Sequence, residues 1–146
     1  MMPHPGRKTF LAGTIVLILF GAVHLLAVYH ANFNPPATEQ EAEIKRLESQ
    51  YSIAMGPFKA TGWGCVQILN SSYSVLLLYA GVLNLLAMRP AIAMGRLRAI
   101  TLCNIVFVAI LLAITMIFQL PPPMLFNATA LVLFGVSWWK QRTKVS

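Results

Sequence analysis

The stretch Val66 to Met88, VQILNSSYSVLLLYAGVLNLLAM, decides how the chain folds, because it is apolar enough to span a bilayer and contains no Asp, Glu, Lys or Arg. Read as a helix, Gln67, Asn70, Ser74, Leu77, Gly81, Asn84 and Met88 follow alternating steps of three and four residues and lie on one face. In lipid, amide and hydroxyl side chains seek partners on other helices, and small residues let helices approach closely. The ladder therefore predicts that further apolar segments pack against this one.

Such segments lie on both sides. Phe10 to Tyr29 follows Arg7 and Lys8, Ala99 to Leu120 follows Arg96 and Arg98, and a shorter run extends from Pro123 to Trp139. At ~1.5 Å per residue, about 20 residues reach roughly 30 Å, the hydrocarbon thickness of a bilayer. The sequence predicts four transmembrane helices, at about 10–29, 66–88, 99–120 and 123–139. The first run exceeds the ~7–15 residues of a secretory signal core, and the VYHANF that follows lacks a small-x-small cleavage site, so it is expected to be retained. Arg89-Pro90 closes the second span, Pro121-Pro122-Pro123 is expected to form a very short turn before the fourth, and Trp138, Trp139 and Lys140 anchor its end at the interface.

Composition agrees. Of the 146 residues 58% are hydrophobic and 10% charged, against roughly 45–50% and about 25% in soluble domains. This indicates one integral membrane domain over 1–146 and leaves no length for a separate soluble one. The net charge of +7 follows topology. Arg7, Lys8, Arg89, Arg96, Arg98, Lys140, Arg142 and Lys144 fall in three segments that share one side and carry no acid, whereas Glu39, Glu41, Glu43 and Glu48 all fall in the segment between the first and second spans. By the positive-inside rule both termini are cytoplasmic. The high pI then needs no nucleic acid, although the basic face would meet anionic lipid headgroups.

The polar stretch from Ala31 to Gly64 is expected to contain one amphipathic helix. Thr38-Glu39-Gln40-Glu41 matches a capping box, Glu41 and Lys45 sit one turn apart in the favourable orientation for an ion pair, and Ile44, Leu47, Tyr51 and Met55 form an apolar stripe. Gly56-Pro57 is the expected stop. This predicts a helix of about four turns over Glu39–Met55, lying flat on the bundle or the interface and covering loop backbone, or closing a ligand entrance.

With the helices alternating in direction, His24, Asn70, Ser74, Thr115 and Asn127 fall at one depth toward the extracytoplasmic side, and Thr14, Asn84, Thr101 and Asn104 at a second depth near the cytoplasm. The plainer expectation is interhelical hydrogen bonding, each bond contributing roughly 0.6 to 2 kcal/mol. The sharper one is that His24, Asn70, Ser74, Thr115 and Asn127 line a small ligand cavity, with Asn84, Asn104 and Thr101 as structural polar packing. Gly13, Gly21, Gly81 and Gly135 are expected close-packing sites.

Other chemistries lack parts. No cofactor and no metal are expected. His24 and His30 lie about 240° apart around one helix and cannot clamp one haem iron, and the remaining histidine, His4, is in the opposite-side tail. Cys65 and Cys103 lack C-x-x-C spacing and read as packing residues. Ser71, Ser72 and Ser74 have His24 within conceivable reach, but the spans hold no acid to orient it for nucleophilic catalysis.

The Gly21-Ala22-Val23-His24 motif, the acidic loop and the serine-rich second span ending LLLYAGVLNLLAMR resemble a group of small bacterial four-helix integral membrane proteins, DoxX-like in general layout. The resemblance covers nearly the whole chain; it implies a bacterial inner-membrane protein and carries over no catalytic residues. The expected fold is thus all-α, a four-helix integral membrane bundle with one extracytoplasmic amphipathic helix. The expected function is non-enzymatic, as an accessory subunit or a binder of lipid-like molecules, with membrane lipids and a second copy or a larger membrane complex as partners. The alternative is a small transporter acting as an oligomer; a membrane enzyme acting on lipid or quinone ranks third.

Overall fold

The computed structural model describes residues 6–55, 57–89 and 94–143. His4, Gly56, Pro90 and Lys144, which enter the expectations above, lie outside the described residues. Among the described residues the chain forms α1 (Arg7–Phe33), α2 (Glu39–Gln50), a two-stranded hairpin of β1 (Ser52–Met55) and β2 (Phe58–Thr61), then α3 (Gly62–Ala87), α4 (Met94–Ile117) and α5 (Pro121–Arg142). The protein is of the all-α class with one short hairpin inserted.

Three helices are long and apolar enough to cross a membrane: α1, α3 and α4. Their packing agrees with a lipid surround, since in the most apolar part of α3 only 17% of residues are buried. Leu69 is 70% exposed and Ile117 75%. Water would disfavour such a surface, whereas lipid tails match it. The fourth predicted span lies in α5, which does not reach the apolarity of the other three.

The helices overrun the predicted spans at most ends, because helical backbone continues into the polar flanks. The triple proline corrects a predicted turn. Pro121, Pro122 and Pro123 form the first turn of α5, where backbone N–H groups have no intrahelical acceptor and three missing donors therefore cost little. The reversal is made before them. Leu120 N–H donates to Thr115 O (3.0 Å) and Gln119 N–H to Met116 O (3.2 Å), the paired closure of a Schellman motif. Gln119 occupies its left-handed position at φ 51°, which usually falls to glycine. Gln119→Gly is accordingly expected to raise the unfolding free energy by about 0.5–1 kcal/mol, measurable by reversible unfolding in mixed micelles; a loss of stability would mean that the Gln119 side chain contributes more than its backbone strain removes.

The second correction concerns the helix predicted over Glu39–Met55. Its start is as expected: Thr38 is the N-cap, with its hydroxyl accepting from Glu41 N–H at 3.1 Å, and the Glu41 carboxylate reaches back to accept from Ala37 N–H at 2.8 Å. Its end is not. α2 stops at Gln50, Tyr51 turns extended, and its carbonyl accepts from Gly62 N–H at 2.8 Å. The next residues pair antiparallel, with Ser52 opposite Thr61, Ile53 opposite Ala60 and Ala54 opposite Lys59, so inter-strand bonds replace a further helical turn. Tyr51 therefore leaves the predicted stripe. Ile44 and Leu47 remain on α2 and are 48% and 52% exposed, so the stripe is not buried within the chain. The ion pair also differs from expectation. It joins Glu43 to Arg46 through two hydrogen bonds of 2.6 and 2.8 Å, which hold the Glu43 carboxyl below its ordinary pKa. Glu41 and Lys45 turn toward backbone groups instead.

The chain divides into two compact units, one of Met1–Phe20 with Leu77–Ser146, the other Gly21–Leu76. In the first, α4 and α5 pack against each other, and α5 buries Asn127, Ala130, Phe134, Ser137 and Gln141 at helical spacing. Phe134 meets Phe10 edge to face at 5.5 Å, and a Cβ at Gly13 would lie 3.0 Å from its ring. Phe20 stacks on Phe126 at 4.8 Å. The Arg7 guanidinium donates to Met88 O, placing a cation at the carbonyl end of α3 where the helix dipole favours it.

Candidate functional site

The unit Gly21–Leu76 holds a recess of about 520 Å³, within the usual range for small-molecule sites. Its construction follows from helix ends. Asn34 N–H closes the last turn of α1 on His30 O at 3.0 Å, and Pro35 and Pro36 cannot extend that helix by donation. The Thr38 cap then starts α2 at once, so residues 34–38 make a short bridge. Lys45 Nζ crosses the gap to donate to Ala31 O at 3.1 Å, one of the last-turn carbonyls that lack an intrahelical donor, and lies 5.1 Å from the centre of the Trp63 ring. Ala27, Ala31, Pro35, Pro36, Ile44 and Trp63 supply the apolar wall; His30, Asn34, Glu41 and Lys45 add polar atoms. A mostly apolar cavity with a few fixed polar groups suits an amphiphile.

Of the predicted ligand residues, the structure brings His24 and Ser74 together in this same unit. His24 Nδ1 and Ser74 Oγ are 2.8 Å apart, and Ser74 Oγ donates to Asn70 O at 2.9 Å. A hydroxyl has one proton, so Ser74 accepts from His24 and Nδ1 carries the hydrogen. This is the reverse of a histidine acting as base toward a serine nucleophile. The Tyr73 ring meets the imidazole edge-on at 5.3 Å. Nearby on α1 and α3, Asn32 Nδ2 donates to Gln67 Oε1 at 3.0 Å. The polar ladder of α3 thus joins α1 through two side-chain contacts here.

Thr115 and Asn127 belong to the other unit. The Thr115 hydroxyl donates to Leu112 O within its own helix at 3.0 Å. Asn127 is fully buried, and neither polar atom of its side chain has a hydrogen-bond partner among the described residues.

The residues expected as polar packing, Asn84, Asn104 and Thr101, lie in the unit of Met1–Phe20 with Leu77–Ser146. Asn84 and Asn104 form a reciprocal amide pair, with bonds of 2.9 and 2.8 Å, and Asn104 also donates to Ile100 O. Thr101 donates to Leu97 O and accepts from Gln141 Nε2 at 3.1 Å; Gln141 Nε2 also reaches Ser137 Oγ at 3.0 Å, which donates to Gly6 O at 2.9 Å. Thr14 bonds within its helix, to Phe10 O. Sequence reasoning missed Ser137 and Gln141. Their signal was the spacing 127, 130, 134, 137, 141, hidden once the helix was ended at Trp139.

Two other expectations change. Gly135 has open space where a Cβ would stand and is not a close-packing site, whereas Gly81 is, since a Cβ there would overlap Cγ1 of Ile18. Cys103 is exposed and Cys65 half-buried, both as free thiols, so Cys103 does not pack inside the chain. Among the described residues no group of three His, Cys, Asp or Glu side chains is placed to hold a metal ion.

No family model matches the chain, and neither the curated proteins nor the solved structures searched include a significant match.

Proposed function

We propose that this protein is a non-enzymatic, multi-pass membrane protein that holds a lipid-like amphiphile in the recess between the end of α1, α2 and Trp63. The recess itself carries the reading: an apolar wall at the end of a membrane-crossing helix, with an ammonium and a carboxylate on its α2 side. Lipid tails are continuous with such a wall, and Trp63 suits the headgroup region.

The remaining topology belongs to the same proposal. α5 is the fourth crossing: its 22 residues reach about 33 Å, and the Trp138 ring near its end has the guanidinium carbons of Arg142 and Arg98 at 4.3 and 5.8 Å from its centre, as an interfacial anchor. Arg7, Lys8, Arg89, Arg96, Arg98, Lys140 and Arg142 mark the cytoplasmic side of a bacterial inner membrane, and the four glutamates mark the other. The recess then opens on the extracytoplasmic face, with α2 as its cover.

Mass spectrometry of the protein released from mild detergent tests the reading. Wild type is expected to retain one amphiphile per chain, and Trp63→Ala, which removes the aromatic wall, to retain it at about a tenth of that occupancy or less. A wild-type protein that carries no amphiphile, or equal retention by both, would overturn it.

A further inference from the structure

We infer that the recess selects a bilayer lipid with a phosphoethanolamine headgroup, an assignment that rests on the amphiphile reading above. The observation behind it is the charge layout of α2. Glu41 and Lys45 lie one turn apart on the same wall, and one turn is the spacing at which such residues ordinarily pair. They do not pair; Glu43 and Arg46 form the ion pair of α2 among the described residues. Each of the two is instead held by one backbone contact, Glu41 to Ala37 N–H and Lys45 to Ala31 O. An ammonium has three donors and a carboxylate about four acceptor sites, so each retains capacity for a ligand.

A headgroup that complements this wall carries both charges, separated by a short spacer. Its phosphate oxygens accept from Lys45 and its primary ammonium donates to Glu41, giving charge-assisted hydrogen bonds at both ends. Lipids with a glycerol headgroup present only the anion and leave Glu41 facing it. Choline headgroups present both charges, but a quaternary ammonium has no N–H to donate and is held best on open aromatic faces. Trp63, the aromatic residue of the wall, already lies beneath the Lys45 ammonium. The apolar side formed by Ala27 and Ile44 then meets the upper acyl region, which a soluble headgroup lacks.

The full chain, exchanged into vesicles of phosphatidylethanolamine, phosphatidylcholine and phosphatidylglycerol in equal amounts with identical acyl chains, gives the test. Retained lipid is read by native mass spectrometry. Wild type is expected to enrich phosphatidylethanolamine about tenfold over the other two. Glu41→Gln keeps an acceptor for Ala37 N–H and is expected to lose the preference over phosphatidylglycerol, whereas Lys45→Met keeps the apolar stem and is expected to release all three lipids. Free glycerophosphoethanolamine is expected not to compete at equal concentration. Equal retention of the three lipids, or preference for either of the others, overturns the headgroup assignment while leaving an amphiphile site in place; full competition by the free headgroup overturns the assignment to a bilayer lipid, because recognition would then need no acyl chain. Failure of wild type to retain any lipid overturns the underlying reading itself.

Discussion

Asn84→Ala is expected to lower the unfolding free energy by about 1–2 kcal/mol, and the double variant Asn84→Leu with Asn104→Leu to stay within about 1 kcal/mol of wild type. The two amides satisfy each other in both directions, at 2.9 and 2.8 Å, and both residues are buried. Truncating one leaves the other with an orphaned carbonyl and one unpaired N–H, since Asn104 keeps only its bond to Ile100 O. Removing both leaves no orphan and restores apolar volume. Reversible unfolding in mixed micelles of this double variant and of Asn84→Leu and Asn104→Leu singly, analysed as a double-mutant cycle, separates the pair from its members. Additive costs, with the double variant losing the sum of the singles, would show that the amides do not act as a pair.

The second large effect is expected at Gly81. A Cβ there would overlap Cγ1 of Ile18, whereas at Gly135 it would meet nothing within 4 Å. Gly81→Ala is therefore expected to destabilise by about 1–3 kcal/mol, the usual result of overpacking, although alanine is the better helix former. Gly135→Ala keeps that propensity gain without an obstacle and is expected to be neutral or stabilising by up to about 1 kcal/mol. Adding Ile18→Ala to Gly81→Ala should recover part of the loss. If the same unfolding assay shows Gly81→Ala no less stable than Gly135→Ala, the close approach of α1 and α3 at this level is wrong.

The features legible in the sequence were those carried by short-range periodicity. Apolar runs placed α1, α3 and α4, the hydroxyl and carboxylate of Thr38 and Glu41 placed the start of α2, and matched depth paired Asn84 with Asn104. The hairpin was hidden because Ile44, Leu47, Tyr51 and Met55 satisfy a helical stripe, while the bond that ends the helix, Gly62 N–H to Tyr51 O, joins residues eleven apart. The recess was hidden for a similar reason. Lys45 had an obvious partner in Glu41 one turn away, and its actual acceptor is a carbonyl of α1 fourteen residues earlier, left without a donor only because α1 ends there. The place of His30 and Trp63 on one wall depends on that same crossing. The five predicted ligand residues, chosen by depth alone, divide between the two units, with His24, Asn70 and Ser74 in one and Thr115 and Asn127 in the other.

Leu120 both completes the closure of α4 and caps the start of α5, so no residue between these helices is free of one or the other. The junction bears on the order of folding. A linker without slack keeps α4 and α5 side by side as soon as both are helical, and they pack against each other along their length. Such contacts are close in sequence and form early, so the pair is expected to form as one helical hairpin before the more distant contacts of the chain.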